Sequence, residues 1–313
     1  MVALQKIYIY CYSKICNMNE TLKRAISGAI YITLLIASIL YSNESFFILF
    51  GLFLLIAVYE FCALVQINKI IPIIFAFLFY GSITLVCFYK KLVQEILYSI
   101  TNKSYQLSFD SNFLYQILLA ITLIISIKCI HFLFSDGIQE ISKSNKIIYL
   151  LGYVILPFFF ITKISFGINE YNPKIIIGLF IIIWTNDTFA YIVGKSIGKH
   201  KLLERISPKK TIEGFLGGIL FSILAGVLIS KFYIKPSPAF SEKSIQIWVT
   251  IAIIASVIGT LGDLIESKFK RVAGVKDSGK IMPGHGGILD RLDSVIFVAP
   301  FVFLFYQILY YVS

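Results

Sequence analysis

Nine apolar stretches of about 20 residues each follow one another along this 313-residue chain. A helix needs roughly 20 apolar residues to cross the hydrocarbon core of a bilayer. The composition agrees, since 58% of the residues are apolar and only 14% are charged, and the mean hydropathy is +0.84. Backbone groups in lipid must be paired within the chain. We therefore predict an all-α integral membrane protein with about nine transmembrane helices, and we exclude a disordered, fibrous or soluble chain.

The least distinct boundary between spans is the short break from Gln66 to Lys69. The predicted spans are Ala25–Tyr41, Phe46–Ile67, Ile70–Tyr89, Phe113–Phe134, Ile147–Phe166, Ile175–Gly194, Gly214–Ser230, Ile245–Ile265 and Ser294–Val312.

The distribution of basic residues predicts how these spans are oriented. Cytoplasmic loops of membrane proteins carry an excess of Lys and Arg. With the N-terminus inside, the cytoplasmic segments hold 19 of the 28 Lys and Arg residues and the opposite loops hold six. This predicts a multi-pass protein of the cell (inner) membrane with a cytoplasmic N-terminus and an outside C-terminus. The same bias accounts for the net charge of +11, so we do not expect a nucleic-acid partner.

The termini and cysteines give weaker signals. Residues 1–24 are predicted to be a cytoplasmic segment without a cleavable signal peptide. One hypothesis is that Met18 is the true start and that residues 1–17 are a start-site artefact. The five cysteines are odd in number, lie mostly in apolar stretches and form no CxxC pair. That pattern favours neither a disulfide framework nor a zinc site.

Polar residues divide the chain into two regions. The first 180 residues are nearly featureless apolar spans with few acids, and from Trp184 onward Asp, Lys, Gly and His gather at predicted cytoplasmic helix ends. We assign residues 25–174 to N-terminal transmembrane helices and residues 175–313 to a C-terminal transmembrane catalytic region. A chain that only packs in a membrane has no need of the second region's polar residues.

Asp187 lies inside the apolar sixth span. A charged carboxylate at bilayer depth costs several kcal/mol unless it is paired or faces water, so it is a candidate functional residue. The alternative is a structural role, as a partner for a Lys or as a polar helix-packing group.

The segment Ser-Pro-Lys-Lys-Thr-x-Glu-Gly follows in the next loop. Pro208 suits the first position of a helix, with Ser207 as its cap. Free amides at such a helix start, beside Lys209, Lys210 and the Thr211 hydroxyl, would bind phosphate. The alternative is an ordinary basic cytoplasmic loop. Three further glycines are predicted to allow close helix packing: Gly214, Gly217 and Gly218.

A second polar cluster runs from Gly262 to Ser294. We expect Asp263 at the end of the eighth helix, and Asp290 and Asp293 on one face of the ninth. Several carboxylates beside many Lys and Arg residues are typical of a Mg²⁺–nucleotide site. His285 stands among three glycines whose backbone could approach a phosphate closely, although a loop histidine can also serve only as a local hydrogen-bonding group.

Residues 267–293 resemble the signature of the CDP-diacylglycerol synthases, or phosphatidate cytidylyltransferases. The matching pattern is Ser-x-Phe-Lys-Arg, four residues, Lys-Asp-x-Gly, and then Pro-x-His-Gly-Gly-Ile-x-Asp-Arg-Leu-Asp. Met282 departs from it, where the family usually has Leu, Ile or Phe. The Ser207–Gly214 segment and the Asn-Asp-x-x-Ala-Tyr stretch at Asp187 also resemble this family, so the likeness covers about residues 180–295.

This resemblance implies an enzyme that condenses phosphatidic acid with CTP, using Mg²⁺, to give CDP-diacylglycerol and pyrophosphate for phospholipid biosynthesis. It also makes a homodimer plausible. Asp263 and Asp290 would be the first metal ligands, with Asp187 and Asp293 as further candidates. Catalytic roles fall to Lys209, Lys210, Arg291 and His285. Substrate binding falls to Ser207, Thr211, Glu213, Lys270, Arg271, Lys276 and Asp277.

Two alternatives remain open. A CTP-dependent lipid kinase would transfer the γ-phosphate and release CDP, but the long pattern around His285 favours cytidylyl transfer. A secondary transporter could use Asp187 and Asp263 as a cation or proton relay. Transporters often contain internal repeats, which we do not recognise between the two halves of this sequence.

Overall fold

The computed structural model describes residues 20–89, 94–95, 98–100, 111–135, 141–166, 171–236 and 241–312. Some predictions lie outside these residues. They are the Met18 start with residues 1–17, most of the predicted segment 1–24, and the basic residues Lys90, Lys91 and Lys103 of the predicted outer loops.

Within the described residues, helices of 19 residues or more coincide with the nine predicted spans. Eight of them are long and apolar enough to cross a membrane, and the remaining one holds the shorter apolar helix Ile70–Val86. The all-α, multi-span prediction is confirmed. The helices are α1 (Glu20–Tyr41), α2 (Asn43–Leu64), α3 (Ile70–Phe88), α4 (Ser111–Phe134), α5 (Lys143–Ile164), α6 (Pro173–Ile197), α7 (Ile212–Ile234), α8 (Ser241–Val272) and α9 (Leu289–Val312).

Short polar breaks separate the first three helices. Ser42 caps α2, because its hydroxyl accepts the Ser45 N–H at 3.1 Å while the Ser45 hydroxyl accepts the Ser42 N–H at 3.1 Å. This reciprocal cap satisfies amides that a helix start otherwise leaves unpaired. The predicted break between α2 and α3 is present, and there Gln66 takes a left-handed conformation with φ of 54°.

Consecutive helices run in opposite directions through the bundle. At one end, Ser27 near the start of α1 contacts His285 in the loop after α8, and Lys268 near the end of α8 donates to the Ser135 carbonyl after α4 at 3.0 Å. At the other end, the Tyr171 hydroxyl donates to the Ile39 carbonyl near the end of α1 at 2.7 Å. The loop between α8 and α9 therefore shares one end of the bundle with the start of α1.

Phe269 fixes the end of α8 to the first half of the chain. Its ring is 2% exposed and lies 5.1 Å from the Phe61 ring of α2, 5.0 Å from Phe132 of α4 and 5.6 Å from Tyr153 of α5. Such aromatic pairs contribute about 0.5–1.5 kcal/mol each beyond their buried area. The polar end of α8 is thus positioned by helices that carry few polar residues.

Small residues let the C-terminal helices approach closely. A Cβ at Gly214 would lie 2.5 Å from the Ala190 carbonyl oxygen, and one at Gly218 would lie 2.6 Å from the Asn186 side-chain oxygen. The prediction that these glycines serve helix packing is therefore confirmed. Between α8 and α9, a Cβ at Gly262 would lie 2.6 Å from the Phe297 Cβ and 2.9 Å from the Asp293 carbonyl oxygen.

Gly262→Ala should therefore destabilise the protein, because the new methyl group must push α8 away from α9. Overpacking of this kind costs about 1–3 kcal/mol. Thermal unfolding in detergent measures the effect. Gly81→Ala is the matched control, since a Cβ at Gly81 meets no heavy atom within 4 Å and alanine favours a helix. Equal unfolding temperatures for the two variants would contradict the packing account.

Candidate active site

The loop after α6 forms a β-hairpin instead of a helix start. Strand β1 (Lys201–Leu203) pairs antiparallel with strand β2 (Ser207–Thr211). The prediction that Pro208 begins a helix capped by Ser207 is therefore wrong, because strand pairing extends the chain through Thr211. Thr211 is the cap of α7, and its hydroxyl accepts the Gly214 N–H at 3.1 Å.

Glu213 joins the hairpin to the first turn of α7. Its carboxylate accepts the Lys199 N–H at 3.0 Å and the His200 N–H at 3.2 Å, and lies 2.6 Å from His200 Nδ1. An acidic side chain in the first helical turn is also favoured by the helix dipole. Glu213 thus holds the hairpin against α7, whereas its predicted contact with substrate stays a prediction.

Asp263 lies within α8 and not at its end. The helix continues to Val272, so this part of the prediction is wrong. The turns of α8 that extend beyond the predicted end are held in place by the packing of Phe269. Asp263 Oδ2 pairs with Lys210 Nζ of β2 at 2.5 Å, and the Ser267 hydroxyl donates to its Oδ1 at 3.2 Å. The side chains of the ion pair are 29% and 32% exposed, so the contact joining the two polar clusters remains open to ligands.

Two more predicted metal ligands lie near Asp263. Asp187 of α6 and Asp293 of α9 both interact electrostatically with it. Lys210 and Arg291 act on Asp187 with the opposite sign. Neighbouring carboxylates repel one another unless a cation compensates them. This acidic cluster, formed by Asp187, Asp263 and Asp293, is therefore suited to a cation.

Asp290 has different neighbours from Asp293. Its Oδ2 accepts the Ser278 N–H and hydroxyl at 2.8 Å each and the Gly287 N–H at 2.7 Å, and its Oδ1 accepts Lys270 Nζ at 2.7 Å. Lys270 also pairs with the buried Glu266 one turn earlier. A carboxylate offers about four acceptor positions. In this structure Asp290 therefore fixes the loop of residues 273–288, here called the signature loop.

Sequence reasoning missed Glu60, which lies in the half described as featureless. The side chain is 2% exposed, and its carboxylate accepts the Leu289 N–H at 2.9 Å, the Ile288 N–H at 3.2 Å and the Ser278 hydroxyl at 3.3 Å. It therefore caps α9 from α2. The only sequence signal was a carboxylate inside an apolar span, the same signal that singled out Asp187.

Glycines shape the turn that carries His285. Met282 N–H donates to the Gly286 carbonyl and His285 N–H donates to the Met282 carbonyl, each at 2.9 Å. Gly284 and Gly286 have φ of 76° and 85°, which other residues rarely adopt. Two further glycines of this loop, Gly279 and Gly287, abut Glu60 so closely that a Cβ would lie within 2.4 Å of its carboxylate oxygens.

His285 is held from both sides. Its Nδ1 lies 2.7 Å from the Ser27 hydroxyl of α1, and its carbonyl accepts Arg291 Nη2 at 2.8 Å. Partial burial, together with the Arg291 and Arg24 guanidinium groups, lowers the pKa of His285 below its usual value. The imidazole is therefore favoured in its neutral form, which can accept or donate a hydrogen bond near neutral pH. Ser27 and Arg24 were not predicted to contribute.

The remaining predicted residues lie at the same end of the bundle. Arg271 Nε donates to the Ile206 carbonyl of the hairpin at 3.2 Å, a second link between the clusters. Lys209 on β2 is exposed, as are Lys276 and Asp277 in the signature loop.

The metal predicted for this site is Mg²⁺. No group of three or more His, Cys, Asp or Glu side chains in the described ranges is arranged as a ready metal cage. Mg²⁺ usually binds through one or two carboxylates together with substrate phosphates. The hard oxygen donors of the acidic cluster, with the Asp263 side chain part-exposed, fit that mode.

Fold and side-chain placement together define a multi-pass membrane protein with acidic and basic side chains gathered at one end of its helices. The model of the cytidylyltransferase family matches residues 22–309. The chain belongs to that family.

The chain is also similar to curated proteins named phosphatidate cytidylyltransferase. It is 52% identical to the one from Staphylococcus epidermidis over 129 residues, which are 41% of this chain and 46% of that protein. It is 51% identical to the Staphylococcus aureus protein over 123 residues, or 39% of this chain and 44% of that protein. The chain therefore spans a little under half the length of these relatives.

Glu60→Ala should loosen the signature loop, because it leaves the Ile288 and Leu289 N–H groups without their acceptor. Each unsatisfied buried donor costs about 1–3 kcal/mol. We expect faster tryptic cleavage at Lys276 and Lys280, both exposed, as measured by mass spectrometry in detergent.

Glu44→Ala is the control for Glu60→Ala. Glu44 lies in the first turn of the same helix and is exposed. Its variant should be cleaved at the rate of the unsubstituted protein, and equal acceleration in both variants would argue against a specific role for Glu60.

Proposed function

We propose that the protein is a phosphatidate cytidylyltransferase, which joins CTP and phosphatidic acid to give CDP-diacylglycerol and pyrophosphate. Membership of the cytidylyltransferase family and the names of its relatives support this. The observation that carries the proposal is the contact between Lys210 and Asp263, which brings two distant polar segments together. Phosphate-binding bases and metal-binding acids are then adjacent, as a nucleotide substrate requires.

The proposed reaction does not require a strong general base. A phosphate monoester is already largely ionised near neutral pH, so an oxygen of phosphatidic acid can itself attack the α-phosphorus of CTP. The new P–O bond forms as the bond between the α-phosphorus and the bridging oxygen breaks, and pyrophosphate leaves with that electron pair. Positioning and charge neutralisation therefore dominate catalysis.

The proposed roles follow from charge and position. Lys209, Lys210 and Arg291 stabilise the departing pyrophosphate, and Ser207, Thr211 and His285 hold phosphate oxygens. Substrate binding is completed by Glu213, Lys270, Arg271, Lys276 and Asp277.

We further propose Mg²⁺ as the cofactor. Asp263, Asp187 and Asp293 would hold it, and Asp290 would join them on exchanging one of its loop hydrogen bonds. When bound, the ion supplies positive charge to the triphosphate oxygens. The paired Lys210 keeps the Asp263 carboxylate oriented toward the hairpin.

The site is proposed to face the cytoplasm, where CTP is dissolved. The excess of basic residues in the segments at this end of the bundle supports that orientation. Phosphatidic acid remains in the bilayer, so a site at the helix ends serves both substrates.

The reaction is tested with purified protein, phosphatidic acid and CTP labelled at the α-phosphate. We expect Mg²⁺-dependent transfer of label into the lipid phase, with release of unlabelled pyrophosphate. Transfer of label from γ-labelled CTP instead would identify a lipid kinase, and no lipid label with any divalent metal would contradict the proposal.

Asp263→Asn should abolish Mg²⁺-dependent turnover while the protein stays folded in detergent. The neutral amide is a weaker metal ligand than the carboxylate and cannot form the ion pair with Lys210. We expect activity to fall by more than about 100-fold, because even groups that only support metal ligands contribute about 10–100-fold.

Glu242→Gln provides the matched control for Asp263→Asn. It removes one carboxylate from the opposite end of the same helix, where Glu242 is exposed. It should retain activity, and retained activity in Asp263→Asn would remove Asp263 from the metal site.

A further inference from the structure

An apolar groove lies between α1 and the signature loop. The volume of this open groove is about 310 Å³, at the lower end of the size range of ligand pockets. Ile26, Ile30 and Leu34 line it from one face of α1, and Met282 and Pro283 line it from the loop. We call this feature the α1 groove.

The groove is built along a helix that faces lipid. Among the described side chains of α1, only Tyr31, Leu35 and Ile39 are buried. The groove residues Ile26, Ile30 and Leu34 remain 44%, 61% and 46% exposed. Because α1 is a candidate membrane span, the groove follows the direction that lipid acyl chains take in a bilayer.

Positive charge gathers at the loop end of the groove. Lys23 lines it there, and the Arg24 side chain packs on Gly284. Arg24 and Arg291 both act electrostatically on His285, which contacts Ser27 on α1. An anionic headgroup complements this charge, whereas a zwitterionic lipid does so less well.

Tyr31 adds an independent observation. It lines the groove, is 9% exposed, and its buried hydroxyl has no hydrogen-bond partner in the described part of the protein. The charges of Arg291 and Asp293 also act on this hydroxyl. Buried hydroxyl groups normally have a partner, and a ligand oxygen would supply one.

We propose that the α1 groove holds an acyl chain of the phosphatidic acid substrate, and that the Tyr31 hydroxyl donates to an oxygen of its polar part. This rests on the proposed function. Bilayer lipid is as apolar as the groove, so the hydrophobic effect does not drive the acyl chain into it. The groove instead aligns the substrate, and its cationic end selects the anionic headgroup. The phosphate is thereby directed toward the acidic cluster where CTP would bind.

Ile30→Trp tests the groove by filling it, with Ile32→Trp as the matched control. Both residues are exposed on α1, at 61% and 41%, but only Ile30 lines the groove. In mixed micelles we expect Ile30→Trp to raise the KM for phosphatidic acid about tenfold and to leave the KM for CTP unchanged, the pattern of lost substrate binding. The same KM for phosphatidic acid in both variants would overturn the proposal.

Tyr31→Phe tests the hydroxyl. Since no described protein group bonds to it, the variant should unfold at the same temperature as the unsubstituted protein. The KM for phosphatidic acid should rise roughly three- to tenfold, as loss of one neutral hydrogen bond predicts. An unchanged KM would overturn the hydroxyl contact.

A binding measurement separates failure of the groove from failure of the proposed reaction. Phosphatidic acid with a photoreactive group in its acyl chain should label the α1 peptide in the unsubstituted protein and in Ile32→Trp, but not in Ile30→Trp. Excess phosphatidic acid should compete, and phosphatidylcholine should not. Labelling elsewhere, or equal competition by phosphatidylcholine, would overturn the proposal even if cytidylyl transfer is observed. Labelling of α1 without cytidylyl transfer would contradict only the proposed function.

Discussion

The buried carboxylate of Glu60 holds the beginning of α9 in place. It accepts the Ile288 and Leu289 N–H groups and the Ser278 hydroxyl, so a helix start that would otherwise be unpaired is satisfied inside the bundle. The first turns of α9 carry Asp290, Arg291 and Asp293. Their positions depend on that cap, and they depend indirectly on α2, which contributes no other acid to the site.

Ion pairs connect the other elements of this region, namely the hairpin, α8 and the signature loop. Lys210 pairs with Asp263, and Lys270 lies between Glu266 and Asp290. Buried charges are tolerated only when they are paired, so these pairs constrain the hairpin, α8 and the signature loop together. The two kinds of pair differ in exposure. Lys270 and Asp290 are 13% and 5% exposed and hold the loop, whereas Lys210 and Asp263 are 29% and 32% exposed.

The nine helices were predictable because the bilayer requires long apolar runs, a signal that needs no knowledge of tertiary contacts. For Lys210 and Asp263, the sequence predicted only that their two polar clusters lie at the same end of the bundle. It did not predict that the two side chains form a pair. The hairpin was missed because its Ser-Pro sequence also suits a helix start, and strand pairing with Lys201–Leu203 decided the outcome. Glu60 was missed for a related reason, since one carboxylate in an apolar span gives no hint of which loop it will contact.

The sequence divides into an apolar half and a polar half, but in the structure residues of the apolar half contact those of the polar half. Ser27 and Tyr31 stand one turn apart on α1. Ser27 bonds the turn that carries His285, and the charges of Arg291 and Asp293 act on Tyr31. A helix that only crosses the bilayer does not require these contacts. They are explained if α1 forms the wall along which a lipid that remains in the bilayer meets a water-soluble nucleotide. In that arrangement the C-terminal helices supply the chemistry and α1 supplies the direction of approach.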